Sequence, residues 1–274
     1  MGSLLVVSTP IGNLEDTTIR ALRLLREVRL IAAEDTRTTR ILLRKYGIHT
    51  RTLSYNEHNM RRRTPQLLAA LEAGDVALVS EAGTPGLSDP GHELINAAIV
   101  AGFPVVPIPG PSALTAALVA SGLPMRQFTF LGFLSRRPAE RRRSLAHLAG
   151  EPQTLVVFES PHRLLALLSD LFFVFGDRRI AVCRELTKAF EEVFRGRISE
   201  AVEHFSNPRG EFTIVIEGAT NPQPVSDESV NRHLQEARDR GLSARDAVKA
   251  VTAATGRPRR EVYALWLKFS EDQR

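Results

Sequence analysis

The chain has 274 residues and a formal net charge of +5, and 43% of its residues are hydrophobic and 24% charged. This length and composition indicate a globular protein with room for two cores. No apolar run is long enough to span a bilayer, and the first residues enter a predicted strand directly. We therefore expect a cytoplasmic protein with no signal peptide, anchor or membrane partner. The single cysteine, Cys183, excludes an internal disulfide and a zinc site built from cysteines.

Arginine clusters give the chain its basic character, with a sequence pI of about 9.8. Such a charge balance favours a polyanionic partner. Each cluster alone could be a solvated helix face, but three in one chain favour the polyanion. The clusters lie at residues 61–63, at 136–137 with 141–143, and at 257 with 259–260.

The first half of the chain alternates predicted strands and helices. Apolar runs predict strands at residues 4–7, 28–33, 51–54, 76–79 and 105–108, separated by helices at 17–26, 36–46, 64–73, 92–101 and 113–120. The expected helix N-caps are Asp16, Asp35 or Thr36, and Ser112; Pro65 fits a first helical turn, and Gly47 and Gly74 fit helix ends. This alternation predicts an α/β domain with a mostly parallel sheet.

Three of these strands end in loops rich in glycine and proline. The loops begin STPIG after residue 7, SEAGTPGLSDPG after residue 79 and PGPS after residue 108. Glycine permits positive φ and close approach of the backbone to a ligand, and the carboxyl ends of parallel strands are where open α/β sheets bind small molecules. Each loop alone could be an ordinary connection between a strand and a helix. Together they predict a shared cleft lined by backbone amides and carbonyls.

The second half predicts a mixed sheet followed by a helical tail. Residues 123–134 are interpreted as the crossing between domains, and strands are expected at 154–158, 179–183, 192–195 and 211–216, with helices at 138–148 and from 161. A linker at 218–227 precedes three short amphipathic helices at 228–240, 243–255 and 258–269, broken at Gly241 and Gly256. This tail is typical of a helix-turn-helix appendage or of a bundle that serves stability alone.

Several familiar signatures are absent. The sequence has no G-x-x-x-x-G-K-[ST] loop, no G-x-G-x-x-G after a strand, no H-E-x-x-H and no paired cysteines. The residues therefore predict a ligand cleft beside carboxylates and arginines, without naming the ligand, and they predict no metal site.

Seven segments nevertheless occur in the order found in the ribosomal RNA small subunit methyltransferase I family of the tetrapyrrole methylase superfamily. They are STPIGNLEDTTIRAL, IAAEDTRTTRILL, VALVSEAGTPGLSDPG, PIPGPSALTAAL, GLPMRQFTFLGFLSRR, VFESPHRL and CRELTKAFEEVFRG. The chain resembles this family over residues 1–220, and its tail resembles the family's helix-turn-helix-like region. In one departure, Glu81 stands where the family usually has aspartate, which keeps the charge and adds a methylene.

The resemblance implies a fold, a cofactor and a substrate. The fold is a two-domain tetrapyrrole-methylase-like α/β structure with a mostly parallel N-terminal sheet, a mixed C-terminal sheet and a small C-terminal helical appendage. The expected divisions are residues 1–121, 122–220 and 221–274. The implied cofactor is S-adenosylmethionine, held between the two α/β domains of a homodimer. The implied reaction is 2′-O-methylation of a cytidine in the decoding region of 16S rRNA in the small ribosomal subunit.

The family pattern also implies residues that contact the methyl donor. Carried over to this sequence, they are Pro10, Glu81, Gly83, Thr84, Pro85, Ser112 and Ala113, with Leu134, Thr213 and Ile214 from the second domain.

Catalytic candidates follow from what methyl transfer requires. A sulfonium methyl group is already electrophilic, so the protein must hold the 2′-oxygen in line and accept its proton or lower its pKa. Suitable side chains lie in the motifs EDTR, ESPHR and RELTK, namely Glu34, Asp35 and Arg37; Glu159, His162 and Arg163; and Arg184, Glu185 and Lys188. We favour Glu159 or Glu185 as the base and Lys188 as a positioning cation. Ion pairing or helix capping is the alternative for each.

RNA binding would use arginines for phosphates and aromatic rings for bases. The expected phosphate contacts are Arg61, Arg62, Arg136, Arg137, Arg141, Arg142 and Arg163, and the candidate stacking surfaces are Tyr55, His58 and Phe133. Two other functions stay open: methylation of a tetrapyrrole or another small molecule, and a non-catalytic RNA-binding role in ribosome assembly.

Overall fold

Five parallel strands form the first sheet, in the order β3-β2-β4-β1-β5. They are β1 Leu4–Val7, β2 Leu30–Ala33, β3 Thr52–Ser54, β4 Val76–Val79 and β5 Val105–Ile108. The computed structural model describes residues 1–219, 227–239, 242–255 and 257–271. The prediction of a mostly parallel N-terminal sheet is confirmed.

Four helices cover both faces of this sheet: α1 Ile19–Glu27, α2 Thr36–Lys45, α3 Met60–Ala73 and α4 His92–Val100. A fifth helix, α5 Ala113–Ser121, follows β5. Helices α1 and α2 pack on one face against Leu5 and Val7, while α3 and α4 pack on the other face against Leu4 and Leu78. Burial from both sides explains why β1 and β4 are continuous apolar runs without alternation.

Two predicted helix starts are wrong. Asp16 belongs to a short 3-10 turn, and the N-cap of α1 is Thr18, whose hydroxyl accepts a hydrogen bond from the Ala21 N–H at 3.1 Å. Helix α3 begins at Met60 rather than at residue 64, so Pro65 lies inside the helix. A turn at residues 56–59 starts α3 one turn early, because the Asn59 side chain accepts the Asn56 N–H at 2.9 Å. Local propensity did not reveal this side-chain-supported turn.

The second sheet is mixed, as predicted. Its strands are β6 Phe128–Phe133, β7 Thr154–Glu159, β8 Arg179–Arg184, β9 Glu192–Arg197 and β10 Phe212–Ile216. Their order is β6-β7-β10-β8-β9, with β6 and β7 parallel and the other pairs antiparallel. Residues 123–134 are therefore not only a crossing, because they contain the edge strand β6. A bulge in this strand at Gly132, where φ is +60°, breaks the alternation that would have identified it.

Helix α5 joins the two sheets. Although it follows β5 in the chain, its residues Leu114, Ala117 and Leu118 pack on the second sheet against Val156 and Val215. The opposite face of that sheet is covered by α6 Pro138–Ala146, α7 Pro161–Phe175 and α8 Ile198–His204. The short helix α8 was not predicted, since it follows β9 without a connecting loop.

The helical tail contains the three predicted helices, α9 Asp227–Asp239, α10 Ala244–Thr255 and α11 Arg259–Glu271. They pack around a small core of Val230, Leu234, Val248, Val251 and Val262. Most of the predicted linker, and the breaks at Gly241 and Gly256, lie outside the described residues. Among the residues that the structure describes, no helix has the length and apolar character needed to cross a membrane.

Candidate active site

The loops after β1 and β4 are joined by hydrogen bonds at the carboxyl edge of the first sheet. Thr9 N–H donates to the Gly83 carbonyl at 2.9 Å, and Gly83 N–H donates to the Thr9 carbonyl at 3.0 Å. The hydroxyl oxygens of Ser8 and Thr84 are 2.9 Å apart. Gly83 has φ +76°, a conformation that favours glycine over any other residue. The two loops therefore form one braced unit.

The loop after β5 closes on the same unit. A Cβ placed on Gly110 would lie 2.9 Å from the Ser8 Cβ, so the close approach of these loops requires glycine. Ser112 occupies the N-cap of α5, but its side chain makes no cap hydrogen bond. The three glycine-proline loops thus meet at one edge, as the sequence predicts.

The first loop also touches the RELTK motif of the second sheet. A Cβ on Gly12 would lie 2.5 Å from Lys188 Cγ and 2.7 Å from Thr187 Oγ1. The Asn13 N–H donates to Thr187 Oγ1 at 3.0 Å. These close approaches bring the RELTK motif against the loop that follows β1.

Lys188 bridges two carboxylates in this motif. Its Nζ lies 3.0 Å from Glu185 Oε1 and 2.9 Å from Glu211 Oε2. Burial raises the pKa of Glu185, but hydrogen bonds from the Glu211 N–H and from Lys188 outweigh it, so this pKa is lowered. Burial lowers the pKa of Lys188, but its two carboxylate partners outweigh it, so this pKa is raised. Lys188 is protonated at neutral pH and cannot accept a proton, and the lowered pKa of Glu185 makes its carboxylate a weak base.

Asp89, in the loop after β4, is a candidate base that the sequence analysis missed. Burial, followed by the negative charges of Glu34, Glu81 and Glu211, raises the pKa of Asp89 to about 7, against the lowering effect of the Ser80 hydroxyl. Glu34 lies at the end of β2, Glu81 in the same loop as Asp89, and Glu211 next to β10. Charges from the edge of the first sheet and from beside the RELTK network therefore both act on Asp89. A group with a pKa near 7 suits general base catalysis at neutral pH.

The comparisons with known proteins identify the family. Residues 3–202 match the family model for Tetrapyrrole (Corrin/Porphyrin) Methylases, and residues 224–269 match the RsmI C-terminal HTH domain. The chain is 46% identical to ribosomal RNA small subunit methyltransferase I of Synechocystis sp., over 99% of this chain and 100% of that protein. It is 51% identical to the protein of the same name from Thermotoga maritima, over 80% of this chain and 99% of that protein. The chain belongs to the ribosomal RNA small subunit methyltransferase I family.

Solved structures show the same fold. Uroporphyrin-III C-methyltransferase from Thermus thermophilus, complexed with S-adenosylhomocysteine, has a TM-score of 0.57 at 22% identity, over 79% of this chain and 97% of that one. The methyltransferase CobJ has a TM-score of 0.62 at 20% identity, over 82% of this chain and 98% of that one. The predicted tetrapyrrole-methylase-like fold is confirmed. Membership of the family makes the chain an S-adenosylmethionine-dependent methyltransferase, so the predicted cofactor is confirmed as well.

The cleft of this methyltransferase suits a cationic nucleoside donor. The negative charge of Glu81 raises the pKa of both Glu34 and Asp89, and a sulfonium charge would relieve that repulsion. Glu81 is exposed; its backbone N–H donates to Glu34 Oε2 at 3.0 Å, and its Oε1 accepts the Thr38 hydroxyl at 3.5 Å. Among the described residues, no group of three side chains could hold a metal ion.

The predicted donor residues lie partly in the loops of the first sheet and partly in the second sheet. Pro10, Gly83 and Pro85 are buried in the braced loops, Thr84 and Ala113 are half-buried, and Glu81 is exposed. In the second sheet, Ile214 belongs to the core beneath α7, so its side chain points away from α5 and the loops. Thr213 precedes it on the opposite face of β10, whereas Leu134, which follows β6, packs against the same core as Ile214.

The EDTR motif is held in place by capping. The Asp35 carboxylate accepts the Arg37 N–H at 2.7 Å and pairs with the Arg37 guanidinium at 2.8 Å. These contacts, led by the Arg37 side chain, lower the pKa of Asp35 to about 2. Asp35 is therefore a poor proton acceptor, and its capping role is confirmed as the N-cap of α2.

Glu159, one of the two favoured bases, is buried. Its side chain is 0% exposed, its Oε1 accepts the Ser160 N–H at 2.8 Å, and its Oε2 lies 3.2 Å from Arg163 Nη2. The approach of Arg163 to Oε2 is an ion pair without hydrogen-bond geometry. The Arg163 guanidinium in turn donates to the Leu134 carbonyl at 2.8 Å and the Ser135 carbonyl at 3.2 Å. The pair holds the end of β6, which leaves neither side chain free for a substrate proton or an RNA phosphate.

The remaining RELTK and ESPHR candidates also have defined surroundings. Arg184 donates to the Arg209 carbonyl at 2.7 Å and pairs with Glu192 at 3.2 Å. His162 lies exposed in the first turn of α7.

The arginines predicted to contact phosphates differ in their exposure to solvent. Arg61, Arg62, Arg136, Arg137 and Arg142 are exposed. Arg141 is 4% exposed and pairs with Asp170 at 2.6 Å, so its prediction as an RNA contact is wrong. Burying α6 against α7 turns this one arginine of the cluster inward.

The side chains predicted to stack on bases also differ in their exposure to solvent. Tyr55 is fully buried, and its hydroxyl lies 3.3 Å from Thr64 Oγ1, so it cannot stack on a base. His58 is exposed. Phe133 is 56% exposed, and its ring packs edge-on against Phe158 with centroids 5.7 Å apart. Phe133 therefore presents a braced ring to solvent.

Proposed function

We propose that this chain transfers the methyl group of S-adenosylmethionine to the ribose 2′-oxygen of a cytidine in the decoding region of 16S rRNA, the nucleotide usually numbered 1402. The observation that carries the proposal is 46% identity over 99% of the chain to a ribosomal RNA small subunit methyltransferase I. Exposed arginines beside the second sheet and the helical tail favour an RNA substrate over a free tetrapyrrole. Cytoplasmic action on the small ribosomal subunit accords with this substrate.

The donor residues that the sequence predicts fit this function. The proposed donor site consists of Pro10, Glu81, Gly83, Thr84, Pro85, Ser112, Ala113, Leu134, Thr213 and the backbone of Ile214. It is supported by the three loops that meet at the carboxyl edge of the first sheet. When bound, S-adenosylmethionine supplies an electrophilic methyl group on a sulfonium.

Asp89 accepts the proton of the 2′-hydroxyl in the proposed mechanism. Its pKa of about 7 makes the ionised carboxylate available at neutral pH. Lys188, held between Glu185 and Glu211, is a fixed positive charge that positions the acceptor nucleotide. Glu159 and Arg163 are positioning residues, since they fix the end of β6 beside the loop after β4. Asp89 takes the proton from the 2′-oxygen as that oxygen bonds to the methyl carbon, while the bond from this carbon to sulfur breaks and leaves neutral S-adenosylhomocysteine.

The domain division and the assembly are part of the same proposal. Boundaries near residues 121 and 220 accord with the two sheets and the tail, although α5 lies on the second sheet. A homodimer is supported by apolar side chains that α7 exposes, with Phe172 47% and Phe173 75% exposed.

The test is methyl transfer from labelled S-adenosylmethionine to small ribosomal subunits, naked 16S rRNA and a tetrapyrrole, with mapping of the modified atom. We expect label on a single cytidine 2′-oxygen. Label on the tetrapyrrole would support the alternative enzyme. Binding of RNA without any transfer would support the non-catalytic assembly factor.

Binding of phosphates by the exposed arginines predicts a change in salt dependence. Replacing Arg62 or Arg136 with glutamine should weaken binding to the small subunit and reduce the slope of log K against log salt by about 0.7–0.9 for each phosphate that the variant no longer neutralises. The measurement is a binding titration at several KCl concentrations. Arg23→Gln is the matched control, because Arg23 is an exposed arginine that pairs with Glu27 at 2.7 Å on α1. Equal slopes for all three variants would contradict the prediction.

A further inference from the structure

Three arginines line an open cavity at the end of the second sheet that is remote from the donor loops. The cavity has a volume of about 390 Å³. Arg179 begins β8, and Arg195 and Arg197 end β9. Residues 121–123, at the end of α5, close another side of the cavity. None of these residues belongs to the proposed donor site or to the arginine clusters identified in the sequence.

The arginines face one another across the two strands. Arg179 is the direct partner of Arg197 in the antiparallel register, and Arg195 lies two residues away on the same face. Like charges directly opposite each other destabilise a sheet. An anion bound between these guanidinium groups would reverse the sign of that interaction.

Backbone carbonyls hold two of the guanidinium groups in place. Arg195 Nε donates to the Ala120 carbonyl at 2.8 Å, and Arg197 Nη1 donates to the Asp177 carbonyl at 2.7 Å. Within the described part of the chain, neither guanidinium has a carboxylate within 4.0 Å, whereas Arg179 has Glu217 at 3.5 Å. A carbonyl orients an arginine without neutralising it, so the cavity keeps its positive charge.

Glu200 is the carboxylate that lines the cavity, and its Oε2 accepts the backbone N–H of Arg197 at 2.7 Å at the start of α8. Its charge offsets only one of the three arginines. Since arginine has a planar fork of donors that matches phosphate oxygens, the three guanidinium groups offer more donors than this carboxylate uses.

We propose that this cavity binds a phosphate group of the RNA backbone, at a nucleotide other than the one that is methylated. The nine residues of α5 separate the cavity from Ser112, and at 1.5 Å per residue this is about 13 Å. The inference rests on the proposed function, since an RNA substrate supplies a phosphate at such a distance from its reactive ribose. The site adds affinity and orientation and carries no sequence information.

The experiment compares Arg195→Gln and Arg197→Gln with Arg26→Gln. Arg26 is the matched control, because it is an exposed arginine on α1 that also donates to a backbone carbonyl, that of Tyr46, at 2.9 Å. Affinity for small-subunit rRNA is measured against KCl concentration, and thermal unfolding shows that each variant is folded. We expect the two cavity variants to bind severalfold more weakly, with a salt slope reduced by about 0.7–0.9. The control should match the unmodified protein.

Three outcomes are informative. Salt slopes equal to that of the control would overturn the proposal. Inorganic phosphate that raises the melting temperature of the unmodified protein but not of Arg197→Gln, with RNA affinity unchanged, would assign the cavity to a free phosphate instead and also overturn it. Methyl transfer by the unmodified protein reports on the proposed function separately, so normal RNA binding without transfer would count against the enzyme and not against the cavity.

Discussion

Replacement of Asp89 by asparagine should lower the rate of methyl transfer by about a hundredfold or more, with little change in RNA affinity. Asparagine has nearly the shape of aspartate but cannot accept the proton of the 2′-hydroxyl, and general base catalysis contributes about 10²–10⁴-fold. The measurement is single-turnover transfer to small ribosomal subunits with saturating S-adenosylmethionine. Asp75→Asn is a control, because the Asp75 carboxylate accepts the Ser3 N–H at 2.7 Å at the amino edge of the first sheet, opposite the donor loops.

The pH profile gives this prediction its sharpest form. Only ionised Asp89 accepts a proton, so the rate should rise with pH through about 7 and then level off. The charged groups that raise the pKa of Asp89 come from three segments, Glu34 after β2, Glu81 in its own loop and Glu211 before β10. Glu34→Gln removes one negative charge and should move the inflection to lower pH. An Asp89→Asn protein with the unmodified rate and profile would assign the base elsewhere.

The Asp89→Asn substitution should raise the stability of the fold at high pH, although it lowers the rate of methyl transfer. The pKa of Asp89 is about 7 in the folded chain against an ordinary value of 3.8, so the folded state binds the proton more tightly. The stability from this group is present below pH 3.8 and is lost as the pH rises through about 7. Asp89→Asn should therefore be more stable than the unmodified protein at pH 8, by about 2 kcal/mol after allowance for partial exposure, and the gain should shrink in acid. A variant that is inactive yet more stable at pH 8 cannot owe its inactivity to misfolding.

The sequence could predict the loops but not the proposed base, Asp89. The braced loops were predictable because their glycines and prolines are local to each strand end, and Gly83 and Gly110 are required where backbones approach. The proton affinity of Asp89 depends on Glu34 and Glu211, which lie far away in the chain, so no local pattern carries it. In the sequence, SDPG is simply a turn.

For a related reason, the sequence did not predict the partners of the two favoured carboxylates. Glu159 and Glu185 end strands of the second sheet, as predicted, but a strand end fixes only the position of a side chain. Whether the carboxylate is free depends on Arg163 and Lys188, which pair with them in the folded chain. The parallel sheet, the mixed sheet and the tail were predictable because apolar periodicity records burial directly. Pairing between polar side chains has no comparable pattern in the sequence, so it could not be predicted.

Arg141 gives the largest expected effect on stability. Asp170 is 2% exposed and holds the buried Arg141 through Nε at 2.7 Å and Nη2 at 2.6 Å. Replacing Asp170 with alanine should lower the free energy of unfolding by about 3–5 kcal/mol, because it leaves a buried guanidinium without its partner. Urea unfolding at neutral pH measures the loss. Arg142→Gln removes the half-exposed second partner of Asp170 and should cost about 1 kcal/mol or less.

A double substitution separates burial of a charge from loss of packing. Arg141→Met combined with Asp170→Leu replaces the pair by apolar groups and should recover much of the stability that Asp170→Ala loses, because no unpaired charge stays in the core. An arginine that instead contacted RNA would behave differently: Arg141→Met alone would leave the unfolding free energy unchanged and reduce the salt slope of RNA binding. Because Arg141 is buried, we expect Arg141→Met to lower the unfolding free energy and to leave the salt slope unchanged. Neighbouring arginines of one cluster therefore have different roles once α6 packs on α7.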